Sequence, residues 1–330
     1  MTTIRVVAPS KSLAIISEDN FKHALHTLEK LGFKVEFSRH AFCLDLFESC
    51  SVQKRVSDLH EAYLDSNVDI ILAGIGGFNS NQLLDHLDYH LISKHPKILC
   101  GYSDITVLLN AIYSKTSMIT YLGPNFHSFA MKEGLEETIE SFMQLIQGHT
   151  YIMHDPNLYS DDPWYDNQED RNFLINTGKI AIRNGYCEGK IIAGNLCSLN
   201  LLQGTPYFPD ISDSVLFLED DNLAGSNFPY EFDRNIQSLI HQKNFNKVKG
   251  LVIGRCQESS GMSIEKWMKI TQDKPELHAM PVIIGGNFGH TTPMSTLPIG
   301  GRCKVLAKED KIEIKYWVEK KKENDDAKST

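Results

Sequence analysis

The sequence predicts an α/β fold in two parts, and three observations carry that reading. Strand-like and helix-like runs alternate through the first 150 residues, a polar and acidic stretch interrupts them, and a second set of strands and helices follows. At 330 residues the chain is also longer than one compact core usually serves. Repeated βα units call for a parallel sheet covered by helices on both faces, so the first part is expected to be a parallel-sheet sandwich.

The elements follow in order. Ile4–Ala8 is a short apolar strand. Ser17 is placed to cap a helix in which Phe21, Ala24, Leu25, Leu28 and Leu31 share one face, and Gly32 stops it. Lys34–Phe37 reads as a second strand and Ser51–Asp65 as a second helix. Val68–Ala73 is a third strand running into the glycine-rich GIGGFNS, residues 74–80. A short helix, a strand over Lys97–Cys100, a helix from about Asp104, a strand over Met118–Leu122 and a helix over Glu136–Ile146 complete the first domain, assigned to residues 1–152.

Residues 153–178 are polar, aromatic and acidic without a period, which suits a functional connector or lid better than a structureless passage inside a core. The connector is set at 153–184 and the second domain at 185–318. In that domain Gly189–Ala193, Val215–Leu218, Leu251–Ile253 and Val282–Ile284 read as strands, with helices near 231–242 and 263–271. Arg302–Leu306 and Ile312–Trp317 form a hairpin, and the charged tail 319–330 is expected to be disordered.

Composition narrows the class. Apolar residues make up 42% and charged residues 23%, as in an ordinary globular protein, and the formal charge of −9 argues against nucleic acid or an anionic membrane as partner. No run approaches the length of a membrane span, and the first apolar run reads as a strand rather than a signal peptide. The seven cysteines are scattered and never spaced C-x-x-C, which suits reduced thiols in a cytoplasmic protein and leaves neither disulfide nor metal expected. His86 and His90 have zinc-helix spacing, but the glutamate after the first histidine is missing and Asp85–Tyr89 looks like a helix end.

Four loops at or near the carboxyl ends of predicted strands are the candidates for chemistry, because α/β sheets place their sites there. In GYSDI (101–105), Ser103 fits two readings. It is an N-cap, or it is a nucleophile on a sharp strand-to-helix turn, although the strict elbow pattern has glycine where Ile105 stands. Glu219, at the end of the strand Val215–Leu218, is either solvated punctuation or the partner of a histidine. His290, in a loop with three glycines and a proline, is either a turn residue or a general base. GIGGFNS fits a phosphate cradle, which would make the chain a nucleotide-binding module, or an oxyanion hole in which the Gly77 and Asp104 N–H groups hold a developing charge.

Taken together, Gly76–Leu84, Leu87–Tyr89, Pro96–Thr106, Gly189–Leu196, Leu216–Asp220, Phe288–Thr291 and Leu297–Gly301 resemble the LD-carboxypeptidase family of serine peptidases, over about residues 4 to 317. That family includes murein tetrapeptide carboxypeptidases and MccF-like microcin C immunity peptidases. The resemblance implies a glutamine-amidotransferase-like N-terminal domain, a smaller C-terminal β/α domain and a site between them. It further implies a homodimer, no cofactor, and a triad of Ser103 as nucleophile, His290 as base and then acid, and Glu219 orienting the histidine. The expected reaction is cleavage of an amide near the C-terminus of a small peptide. GGFNSNQLL and the connector point to the MccF-like branch and a peptidyl or aminoacyl nucleotide, with Phe78 and Trp164 as substrate contacts. Gly254–Glu258 departs from the immunity peptidases, and a murein L,D-tetrapeptide is the alternative substrate.

Overall fold

In the computed structural model, residues 1–319 are described; all of the expected tail but Glu319 lies outside them. The first half builds a six-stranded sheet ordered Leu297–Ile299, Thr120–Leu122, Ile98–Gly101, Ile70–Ala73, Thr3–Val7, Lys34–Phe37. Five of these strands are parallel, as the βα alternation requires. The strand Ile70–Ala73 is buried at every residue, which explains its uninterrupted apolar run. Ser17 does cap the helix Glu18–Lys30, its side chain accepting from the Asn20 N–H at 3.3 Å.

The sixth strand is a finding that the βα pattern did not anticipate. Leu297–Ile299 comes from the far end of the chain and pairs antiparallel with Thr120–Leu122. It is an edge strand, which is where Pro298 is tolerated.

The second sheet has eight strands and is mixed rather than simply β/α. Its centre is parallel: Gly185–Asn195, Ser214–Glu219, Gly250–Gly254 and Val282–Gly286. The hairpin Arg302–Ala307 and Ile312–Trp317 flanks one side antiparallel. Both edges come from sequence outside the expected 185–318. Tyr151–Ile152, assigned to the first domain, pairs with the strand Ile312–Trp317, and Ile180–Arg183, assigned to the connector, pairs with Val282–Gly286. These strands are two and four residues long, too short for a local period to declare them. The connector is not structureless either: Leu158–Tyr159 and Leu174–Ile175 form a small antiparallel ladder.

The two sheets meet at their strand ends. A Cβ on Gly194 would lie 2.2 Å from Thr106 Cγ2, and the Asn195 N–H donates to Thr106 Oγ1 at 3.0 Å. Thr106 begins the helix Thr106–Thr116, and Asn110 of that helix donates to the Ala193 carbonyl at 3.0 Å. Asn195 is the register partner of Glu219, so this contact sets the acid-bearing strand end beside the turn at Ser103.

Candidate active site

The turn at Ser103 does not have the geometry of an N-cap. An N-cap has extended backbone and a side chain that accepts from the helix. Ser103 instead has φ +62°, and the cap position before its short 3₁₀ turn belongs to Tyr102, with no side-chain cap bond. A non-glycine residue held in the left-handed region costs on the order of 1–3 kcal/mol, a strain that concentrates at functional sites. Room for this turn is made by another loop. A Cβ on Gly76 would lie 2.9 Å from Ser103 Cβ and 3.1 Å from its Oγ. The clearance that a glycine at 105 would give is thus supplied by Gly76, while Ile105 is buried in the core.

Gly77, at φ +153°, packs against the segment before it: a Cβ there would meet Ser10 Oγ at 2.3 Å and Lys11 Cγ at 2.8 Å. Asp104 does more than offer its N–H. Its buried carboxyl accepts from Ser10 Oγ at 2.5 Å and from the Ser80 N–H at 2.9 Å, and Ser80 Oγ donates to its carbonyl at 2.7 Å. One side chain therefore ties the turn at Ser103 to the loops on either side of Gly76 and Gly77.

Across the cavity, His290 Nδ1 donates to Glu219 Oε2 at 2.7 Å, with the glutamate 2% exposed. Gly289 permits this approach, since a Cβ there would lie 2.6 Å from the Glu219 carboxylate. Burial pulls the His290 imidazole down, but the Glu219 charge and hydrogen bond, helped by Asp221 and Asp220, outweigh it and hold the pKa at about 9. The His290 ring lies 5.3 Å from the Tyr102 ring, next to the Ser103 turn. Ser103, Asp104, Gly77 and His290 line one cavity of about 790 Å³. Among the described residues no hydrogen bond joins Ser103 Oγ to His290.

Phe78 stands at this cavity 68% exposed, with Lys11 Nζ 5.8 Å from its ring centroid. Trp164 also lines it, but is nearly buried, packed on the rings of His127 at 4.8 Å and Tyr165 at 5.8 Å. His86 ends a 3₁₀ turn and His90 belongs to the next helix, so the two do not share one helix face.

Two residues of the cavity escaped the sequence reading. His127 is pulled down by burial to about 4, so it is neutral at pH 7. Asp220 is pushed up to about 8, first by burial and then by the charges of Glu219 and Asp221, and it accepts from Asn195 Nδ2 at 2.9 Å. The run Glu219-Asp220-Asp221 gave a signal, three acids at a strand end, but not which of them is buried. Outside the cavity wall, Arg255 of the departing Gly254–Glu258 segment stacks on Tyr159 at 4.7 Å and donates to Asn287 Oδ1 at 3.3 Å, joining the connector to the His290 loop.

A two-domain α/β protein whose strained serine shares a cavity with a histidine bonded to a buried glutamate belongs to the broad class of serine hydrolases. Comparison with known proteins narrows this. The LD-carboxypeptidase N-terminal domain matches residues 4–123 and the LD-carboxypeptidase C-terminal domain matches residues 188–305. The chain is 46% identical to the Bacillus subtilis (strain 168) protein named "Putative carboxypeptidase YocD", over 96% of each chain. It is 30% identical to the Escherichia coli microcin C7 self-immunity protein MccF, over 92% of this chain and 90% of that one. Among solved structures, an MccF-like protein from Bacillus anthracis str. Ames superposes with a TM-score of 0.94 at 47% identity, covering 96% of this chain and 97% of that one. The chain belongs to the LD-carboxypeptidase family and is a serine peptidase.

Proposed function

We propose that the chain hydrolyses an amide near the C-terminus of a small peptide-like substrate through Ser103, His290 and Glu219. The observation that carries this reading is the strained Ser103 turn opening on the same cavity as the Glu219–His290 pair. His290 takes the Ser103 proton as Oγ bonds to the substrate carbonyl carbon, and Glu219 stabilises the imidazolium. The Gly77 and Asp104 N–H groups hold the oxyanion. His290 then gives its proton to the amide nitrogen, the C–N bond breaks, and water attacks the acyl-enzyme by the same route in reverse. Free enzymes often complete the nucleophile–base contact only once substrate is bound, which suits a Ser103 not yet bonded to His290.

For the substrate, the reading favoured is a peptidyl or aminoacyl nucleotide. MccF has been solved with glutamyl sulfamoyl guanosine, at a TM-score of 0.84 and 28% identity over 96% of both chains. Here the aromatic wall of Trp164, Tyr165 and His127 offers a nucleobase a surface to stack on. A murein L,D-tetrapeptide is the second reading. The same proposal takes the units built on the six-stranded and the eight-stranded sheets as the two working domains and a cytoplasmic homodimer as the working form; no helix among the described residues is long and apolar enough to cross a membrane. The test is a side-by-side assay of the wild type and Ser103→Ala on both substrate types. Ser103→Ala is expected to abolish turnover with an unchanged melting curve. Undiminished turnover would remove Ser103 from the mechanism, and cleavage of one substrate alone decides between the two readings.

A further inference from the structure

The charge in the cavity is distributed unevenly. Among the described residues that line it, Lys11 is the one lysine or arginine, and it stands beside Gly77 and Phe78. The acids are more numerous and spread around it: Asp104 in the first domain, Asp161 and Asp162 in the connector, and Asp220, Asp221 and Glu231 in the second domain, the last of which pairs with Arg234. Ser103 lies on the same cavity, on the turn that packs against Gly76.

We propose that Lys11 receives the anionic end of the leaving group and so fixes which way the substrate lies across Ser103. This rests on the peptidase reading above and sharpens it. The Lys11 backbone packs on Gly77: a Cβ on Gly77 would meet the Lys11 nitrogen at 3.1 Å, and the Lys11 N–H donates to the Gly76 carbonyl at 3.2 Å. The side chain is therefore anchored at the loop expected to hold the oxyanion, on the cavity that Ser103 also lines. A carboxylate placed toward Asp221 would be repelled, whereas at Lys11 it gains a charge-assisted hydrogen bond.

Lys11 Nζ pairs with Glu48 Oε2 at 2.7 Å, with the two side chains 28% and 54% exposed. A pair so open to water is weak, and a substrate anion can replace Glu48. Glu48 itself sits at φ +57° in a loop whose carbonyl accepts from the Ser12 N–H at 2.8 Å, so the partner is presented by a fixed backbone. The anion has two sources with the same chemistry: the free carboxylate of a terminal amino acid, or the phosphate-type linkage of a nucleotide.

The experiment compares wild type, Lys11→Met, Lys11→Arg and Glu48→Gln on two matched pairs. One is a murein L,D-tetrapeptide and its C-terminal carboxamide. The other is a peptidyl-adenylate analogue with a charged linkage and the same compound with a neutral linkage. Lys11→Met is expected to raise KM for the charged member by about 10–100-fold with kcat within a few-fold, and to raise KM for the neutral member at least ten-fold less. Lys11→Arg restores most of the loss, and Glu48→Gln lowers KM for the charged member. The pair that shows the effect identifies the source of the anion. An equal loss on charged and neutral members, or no loss on either, overturns the role of Lys11 and leaves the peptidase reading standing. No turnover of any of the four compounds by wild type overturns both.

Discussion

Replacing Glu219 with glutamine tests the coupling at the centre of the site. The carboxylate lies 2.7 Å from His290 Nδ1 and is almost wholly buried, and the imidazole is held at about 9. Opposite unit charges about 4 Å apart attract by roughly 4 kcal/mol at an effective dielectric near 20. At about 1.4 kcal/mol per pH unit, losing that attraction lowers the His290 pKa by about 2–3, since Asp220 and Asp221 still act on it. The base must be neutral to accept the serine proton, so wild-type kcat/KM should climb with pH up to a limb near 9. In Glu219→Gln the limb should move toward acid by about 2–3 pH units. Turnover should nevertheless fall about 100- to 10,000-fold, because the imidazolium formed in the transition state has lost its counter-charge. The assay is kcat/KM from acid to alkaline pH on whichever substrate the wild type cleaves. A limb that stays in place, with near-normal turnover, would show that this pair does not supply the base.

Two further changes probe the scaffold and the acid wall. Asp104→Ala strips the acceptor from Ser10 Oγ and the Ser80 N–H in a buried setting, and should cost about 2–4 kcal/mol in urea unfolding, with a fall in kcat as the loop of Gly76 and Gly77 loosens; an unchanged midpoint would refute the tie. Asp220 holds its proton in the fold up to about pH 8, well above the ordinary carboxylate range, so the fold loses stability as pH rises from about 4 through about 8. Asp220→Asn keeps the Asn195 contact and removes that loss. It should match wild type near pH 4 and exceed it by about 2 kcal/mol or more at pH 9, a figure already reduced for the solvent in the cavity; denaturation at the two pH values reads the difference.

Much of the fold could be read from the chain because buried parallel strands declare themselves: Ile70–Ala73 and Ser214–Glu219 are buried at every position. What could not be read is pairing between distant short segments. Tyr151–Ile152 and Leu297–Ile299 are two and three residues long, and each joins a sheet built mainly from the other half of the chain. No local period tells a three-residue run which edge it will complete. The result is two crossings between the halves, and the second begins only seven residues after His290.

The site divides in the same way. Ser103, Glu219 and His290 stood at strand ends, and their residue types suggested the chemistry, but the sign of a backbone angle is not written in five letters. GYSDI lacked the glycine that an elbow pattern asks for because the clearance comes from Gly76, twenty-seven residues upstream in the chain. Asp104 drew attention for its N–H, while its carboxyl serves Ser10, ninety-four residues away. Glu219-Asp220-Asp221 makes the point most sharply. Side chains along extended backbone alternate in direction, so adjacent acids meet different surroundings. Glu219 turns to His290, Asp220 turns to Asn195, and Asp221 accepts from the Leu223 N–H at 2.9 Å in the following turn. Three identical charges on paper become a histidine partner, a carboxyl that keeps its proton to about pH 8, and a turn residue. The second domain supplies each of these surroundings, and it does so only after the sheet has set the register of Asn195 against Glu219.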